Sequence, residues 1–81
     1  MNDEEIRTGF AAILDEVAGT DVDEVTMERS FEELDIDSLL MVEVVVAAED
    51  RFGVSIPEDS LAKVTTVGDI VGLIQGNLAA V

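Results

Sequence analysis

The sequence predicts an all-α fold, a small four-helix bundle with three main helices, one short helix and a long acidic loop between the first two. Apolar residues recur at helical spacing near both ends of the chain. Residues that start and stop helices bracket these segments. Hydrophobic residues make up 48% of the 81 positions, enough for one small domain over 1–81 to bury a core.

Ile6, Phe10, Ile13, Leu14 and Val17 share one helical face, which predicts the first helix. Asn2 or Asp3 can cap its start, the acids at 3–5 suit the positive end of its dipole, and Gly19 can end it. Residues 20–36 have no sustained period and carry seven acids against Arg29. They read as a loop pinned to the core by Val22, Val25, Met27, Phe31 and Leu34, and loops this long are usually functional.

Leu39 to Ala48 is almost continuously apolar, and its three consecutive valines would also suit a strand. Its boundaries favour a helix over Ser38 to Phe52, with Asp37 as N-cap and Gly53 just past the end. That helix has more apolar residues than one buried face needs. With Leu39, Val42, Val45 or Val46, and Phe52 inward, some of Leu40, Met41, Val44 and Ala48 would be exposed as a docking stripe bordered by Asp37, Glu43, Glu49 and Asp50. Burial of the helix on two sides is the plainer alternative.

Val54-Ser55-Ile56-Pro57 reads as extended, with Pro57 suited to the first turn of a short helix through Leu61. Thr66-Val67-Gly68-Asp69 resembles a capping box with Asp in place of Glu. The last helix turns Val67, Ile70, Leu73 and Ile74 inward and ends near Gly76.

Charge and composition narrow the function. With 19 acidic and 4 basic side chains the net charge is −15, and Arg7, Arg29, Arg51 and Lys63 are scattered singly, so a nucleic-acid binder is excluded. Without Cys there is no disulfide, thiolate metal site or cysteine nucleophile, and without His the commonest general base is missing. The N-terminus has no signal-peptide pattern, and the Leu39–Ala48 run is too short to span a bilayer. A soluble cytoplasmic protein, free of membrane, is expected.

The many carboxylates have no spacing that would build an acid–base pair. Asp21, Asp23 and Glu32 match three positions of a calcium-binding EF-hand loop, but Val25 and Thr26 replace its central ligand and turn glycine. Ser38 stands out by its setting: it follows an acidic cap, opens the apolar helix and ends the acidic loop. A helix N-terminus suits an attached phosphate, and no adjacent base makes Ser38 a nucleophile, so it is better placed to be modified than to catalyse. By position alone it is also an ordinary first-turn serine.

Leu34-Asp35-Ile36-Asp37-Ser38-Leu39 resembles the Asp-Ser-Leu attachment site of acyl carrier proteins. The similarity extends to Phe31-x-x-Leu34, Met41-Val42-Glu43, Glu49-Asp50, Phe52-Gly53-Val54-Ser55-Ile56-Pro57 and Thr66-Val67-Gly68-Asp69, and so spans nearly the whole chain. Asp35 stands where a glycine is common, Leu40 stands where an acid is frequent, and Arg51 interrupts the acidic end of the second helix. The Asp-Ser setting differs from the Gly-Gly-x-Ser of peptidyl carriers, which share the fold.

The resemblance implies a carrier rather than an enzyme. Ser38 would receive a 4′-phosphopantetheine arm from coenzyme A through a separate phosphopantetheinyl transferase, with Asp37 and Leu39 flanking the site. The arm's thiol would hold acyl groups as thioesters, supplying the sulfur the chain lacks. Leu40, Met41, Glu43, Val46, Glu49 and Asp50 would face partners such as a ketosynthase, acyltransferase, ketoreductase or dehydratase of a dissociated fatty acid or polyketide system. A free-standing monomer with ends at Met1 and Val81 is expected. The alternatives are an acidic interaction module without a prosthetic group, a peptidyl or aminoacyl carrier of the same fold, and a divalent-cation buffer.

Overall fold

The computed structural model describes residues 2–79. The chain ends Met1 and Val81 lie outside the described residues. Among the described residues there are four α-helices, α1 Asp3–Ala18, α2 Ser38–Phe52, α3 Glu58–Leu61 and α4 Val67–Ala79, with a 3₁₀ turn at Val22–Glu24. The all-α class, the three long helices and the short one are as expected.

Most of these boundaries have a local cause. Asn2 caps α1: its Oδ1 accepts the Glu5 N–H at 2.8 Å, while Glu5 accepts the Asn2 N–H at 3.3 Å. Such a cap stabilises a helix by about 1 kcal/mol. Gly19 ends α1 and Gly53 ends α2, both in the left-handed region at φ 70° and 67°. At α4, Asp69 Oδ2 accepts the N–H groups of Thr65 and Thr66 at 3.0 and 3.1 Å, and Thr66 Oγ1 accepts the Asp69 N–H at 3.3 Å, so Asp completes the capping box.

Helix α1 packs against both α2 and α4. Ile6, Phe10, Ile13 and Leu14 of α1 meet Val44, Val45, Ala48 and Phe52 of α2 and Val67, Ile70, Val71 and Ile74 of α4 in one core. Val25, Phe31, Leu34 and Ile36 join it from the loop, with the Phe31 ring edge-on to Phe10 at 6.0 Å between centroids. The acidic loop is therefore fastened, with Val25, Phe31 and Leu34 buried as expected, Met27 partly buried, and Ile36 as a further anchor. Val22 does not pin it, because it opens the 3₁₀ turn with its side chain exposed.

Main-chain bonds fasten the loop further. Arg29 O accepts the Val67 N–H at 2.9 Å and Met27 O accepts the Gly68 N–H at 3.0 Å, satisfying two donors at the start of α4. Phe31 N–H donates to Thr65 O at 3.1 Å beside a single antiparallel bridge between Ser30 and Thr66. Across the loop, Arg7 Nη1 donates to Val25 O at 2.7 Å while its guanidinium grips Glu4.

Three expectations are corrected. The face of α2 is turned from the one expected: Val44 and Ala48 are buried with Val45 and Phe52, whereas Leu39, Val42 and Val46 are 74%, 56% and 58% exposed. A nearly continuous apolar run does not fix helical phase, and close packing on α1 decides it. Helix α4 passes through Gly76 to Ala79, since an exposed helical glycine costs only about 1 kcal/mol, and its buried face includes Val71. Pro57 is the N-cap of α3 rather than its first residue.

Candidate functional site

The start of α2 brings together Asp37, Ser38 and Leu39. Asp37 is the N-cap, and its Oδ1 accepts the Leu40 N–H at 2.8 Å while its carbonyl accepts the Met41 N–H at 2.9 Å. Ser38 is therefore fixed as the first helical residue, exposed and outside the core. No acid follows Asp37 in the first turn of α2, whereas α1 carries three in its own. Apart from the Asp37 cap itself, no carboxylate occupies this turn, so the remaining N–H groups at the start of α2 face no further side-chain anion.

The chain just before the site is shaped by Asp35, which has φ 60°, a left-handed conformation disfavoured by a side chain. Its N–H donates to Glu32 O and the following Ile36 N–H donates to Phe31 O at 2.9 Å, which turns Ile36 into the core and aims Asp37 at the helix. This geometry explains why a glycine would suit position 35.

Beside Ser38 lies an open cleft of about 220 Å³ lined by Phe31, Ile36, Asp37, Ser38, Met41, Leu61 and Val64. A smaller one of about 130 Å³ lies between α2 and the 56–61 segment, lined by Val42, Val45, Val46, Glu49, Ile56, Glu58 and Leu61. The serine thus opens onto mixed polar and apolar walls.

The remaining expected residues divide into two groups. Leu39, Glu43, Val46 and Asp50 are exposed, and with Val42 they form the outer face of α2, an apolar line edged by acids. Val42 was expected inside; its spacing of three and four residues from Leu39 and Val46 groups the three on one face, and packing of α2 on α1 turns that face outward. Leu40 and Met41 are half-buried and pack against the core, so they present less area outward. Glu49 is half-buried too, and its Oε2 accepts the Ile56 N–H at 2.7 Å.

Elsewhere the acids act locally. Asp21 caps the 3₁₀ turn by accepting the Asp23 N–H at 2.9 Å. The Ser30 N–H donates to Glu33 and holds that carboxyl below its usual range. Among the described residues no three acids group as a metal site, and no helix is long and apolar enough to cross a membrane.

Fold and site define a small acidic helical protein that presents an exposed serine at a helix start. Residues 9–74 match the family model described as phosphopantetheine attachment site. The chain is 53% identical to an acyl carrier protein of Thermobifida fusca over 91% of this chain and 95% of that one. It is 55% identical to the meromycolate extension acyl carrier protein of Mycolicibacterium smegmatis, covering 89% of this chain and 74% of that one. The crystal structure of an acyl carrier protein from Thermotoga maritima superposes with a TM-score of 0.89 at 28% identity, over 99% of this chain and 94% of that one. The chain belongs to the acyl carrier protein family. It is a carrier and not an enzyme, its prosthetic group is a covalently attached 4′-phosphopantetheine, and its role implies contact with a phosphopantetheinyl transferase and synthase enzymes.

Proposed function

We propose that Ser38 is the attachment point of the 4′-phosphopantetheine arm, and that the chain, a single domain over 1–81, shuttles acyl intermediates between separate enzymes of fatty acid synthesis. The observation that carries this reading is the exposed Ser38 at an acid-free first turn, capped by Asp37 and opening onto a 220 Å³ cleft. When bound, the arm supplies the thiol that holds an acyl group as a thioester. Asp37 positions the serine, and the helix N-terminus stabilises the phosphate.

The fatty acid branch is favoured over the polyketide one by relatives named for meromycolate extension. The outer face of α2, with Leu39, Val42 and Val46 between Glu43 and Asp50, suits a basic enzyme surface with a small apolar contact. Charge complementarity speeds encounter, and a small interface permits release, both of which serial transfer requires.

Incubation with coenzyme A, Mg²⁺ and a broad-specificity phosphopantetheinyl transferase tests the assignment. Intact mass should rise by one arm in the wild type and stay unchanged in Ser38→Ala. Modification of Ser38→Ala, or an unmodified wild type under conditions that load another carrier, would overturn it.

A further inference from the structure

Glu49 was expected on the partner-facing side of α2, yet it has a second engagement within the chain. Its carbonyl accepts the N–H groups of Gly53 and Val54 at 2.9 and 3.2 Å, which closes the helix. Its carboxylate Oε2 reaches past this turn to the Ile56 N–H at 2.7 Å. One residue thus receives three donors from the segment leaving α2, and among the described residues no other side chain holds the main chain between α2 and α3.

The consequences run along the chain. Ile56, once held, is buried in the core. Pro57 follows with a fixed φ and caps α3, its carbonyl accepting the Ser60 and Leu61 N–H groups at 3.0 and 3.2 Å. Leu61 then lines both clefts, the one beside Ser38 and the one between α2 and the 56–61 segment. Helix α3 has only four residues and cannot hold itself in place by its own hydrogen bonds. The position of this wall depends on how the segment is anchored, and charge-assisted bonds to a main-chain donor are among the stronger anchors.

We propose that Glu49 is a positioning residue: by holding the Ile56 N–H it fixes the 56–61 segment against α2, and so sets how much of an apolar acyl chain the cleft between them shelters. This rests on the carrier reading of Ser38. The bond is charge-assisted, so a neutral acceptor of the same length keeps it in weakened form and a truncated side chain loses it.

Amide hydrogen exchange on the unmodified chain tests the latch without any arm. In Glu49→Ala the Ile56 amide should exchange about tenfold faster, the loss expected for one such bond, while Ile70 and Val71 in α4 stay protected. Glu49→Gln, which keeps an acceptor but loses its charge, should exchange Ile56 roughly threefold faster than wild type and more slowly than Glu49→Ala. Unchanged Ile56 exchange in Glu49→Ala overturns the latch.

The cargo role is read on chains whose Ser38 arm carries an octanoyl or an acetyl thioester. Hydroxylamine should cleave the octanoyl thioester several-fold faster in Glu49→Ala than in wild type or Glu49→Gln, with the acetyl thioester unaffected. Equal octanoyl rates in the presence of fast Ile56 exchange overturn the cargo role alone. A wild-type chain that takes up no arm overturns the carrier reading and the cargo role with it, while Ile56 exchange still decides the latch separately.

Discussion

Gly9 of α1 leaves room for the ring of Phe52 in α2: a Cβ at position 9 would stand 2.9 Å from Phe52 Cζ and 3.3 Å from Arg51 Nε. This near contact sets how closely the two helices approach, and it ties the far end of α2 to α1.

Gly9→Ala therefore sets better helix propensity, worth about 1 kcal/mol, against overpacking that costs about 1–3 kcal/mol in a tight core. The ring is buried and overpacking wins, so stability should fall by about 1 kcal/mol. Gly72 in α4 is the contrast, since nothing lies within 4 Å of a Cβ there. Gly72→Ala should gain roughly 0.5–1 kcal/mol. Urea unfolding of both variants reads the opposite signs.

Asp35 holds φ 60° just ahead of the site. Asp35→Gly should relieve about 1 kcal/mol of backbone strain, partly offset by greater freedom of the unfolded chain, and leave a small net gain. Asp35→Val, β-branched at the same φ, should lose more than about 1 kcal/mol. Denaturant midpoints for the two variants on either side of wild type would support this account; a loss in Asp35→Gly would sink it.

The Asp69 cap predicts a pH dependence. N–H donation from Thr65, then Thr66, holds its carboxyl below the usual aspartate range. A depressed folded pKa means the stabilisation is present above the unfolded value, about 3.9, and is lost as pH falls through the folded one. Glu33 and Glu4 shift the same way, through Ser30 and Arg7 respectively. Asp69→Asn should be less stable than wild type at neutral pH, and the gap should narrow below about pH 4. A gap independent of pH would mean the charge contributes nothing.

The outer face of α2 predicts separable binding and stability. Val42 and Val46 are more than half exposed, so Val42→Asn and Val46→Asn should change unfolding by less than about 1 kcal/mol. The same variants should raise the transferase KM for the unmodified chain by roughly tenfold with kcat unchanged, as loss of a docking contact does. Val44→Asn, which buries an amide, should instead destabilise the fold by several kcal/mol. Wild-type KM in both outer-face variants would remove this face from docking.

Much of this architecture is legible in the sequence because helix ends have local chemistry. Asn2, Gly19, Asp37, Gly53 and the Thr66–Asp69 box each act within a few residues of themselves, so their roles follow from spacing. The phase of α2 is not legible, since Leu39 to Ala48 is apolar on nearly every side and only the neighbouring α1 selects Val44, Val45 and Ala48 for the core. The bonds from Arg29 and Met27 carbonyls to α4 leave no trace in residue type, because every residue has a carbonyl. Glu49 is legible as an acid on the right helix, but its reach to Ile56 depends on the turn at Gly53.

The exposed line of Leu39, Val42 and Val46 would by itself invite self-association. Two copies meeting along it would also bring Glu43 and Asp50 of each together, on molecules that each carry a charge of −15. Like-charge repulsion over such a contact opposes what the apolar area would gain. The charge pattern thus disfavours a second identical copy and favours a surface of opposite sign, the chemistry of the enzyme surface proposed for this face.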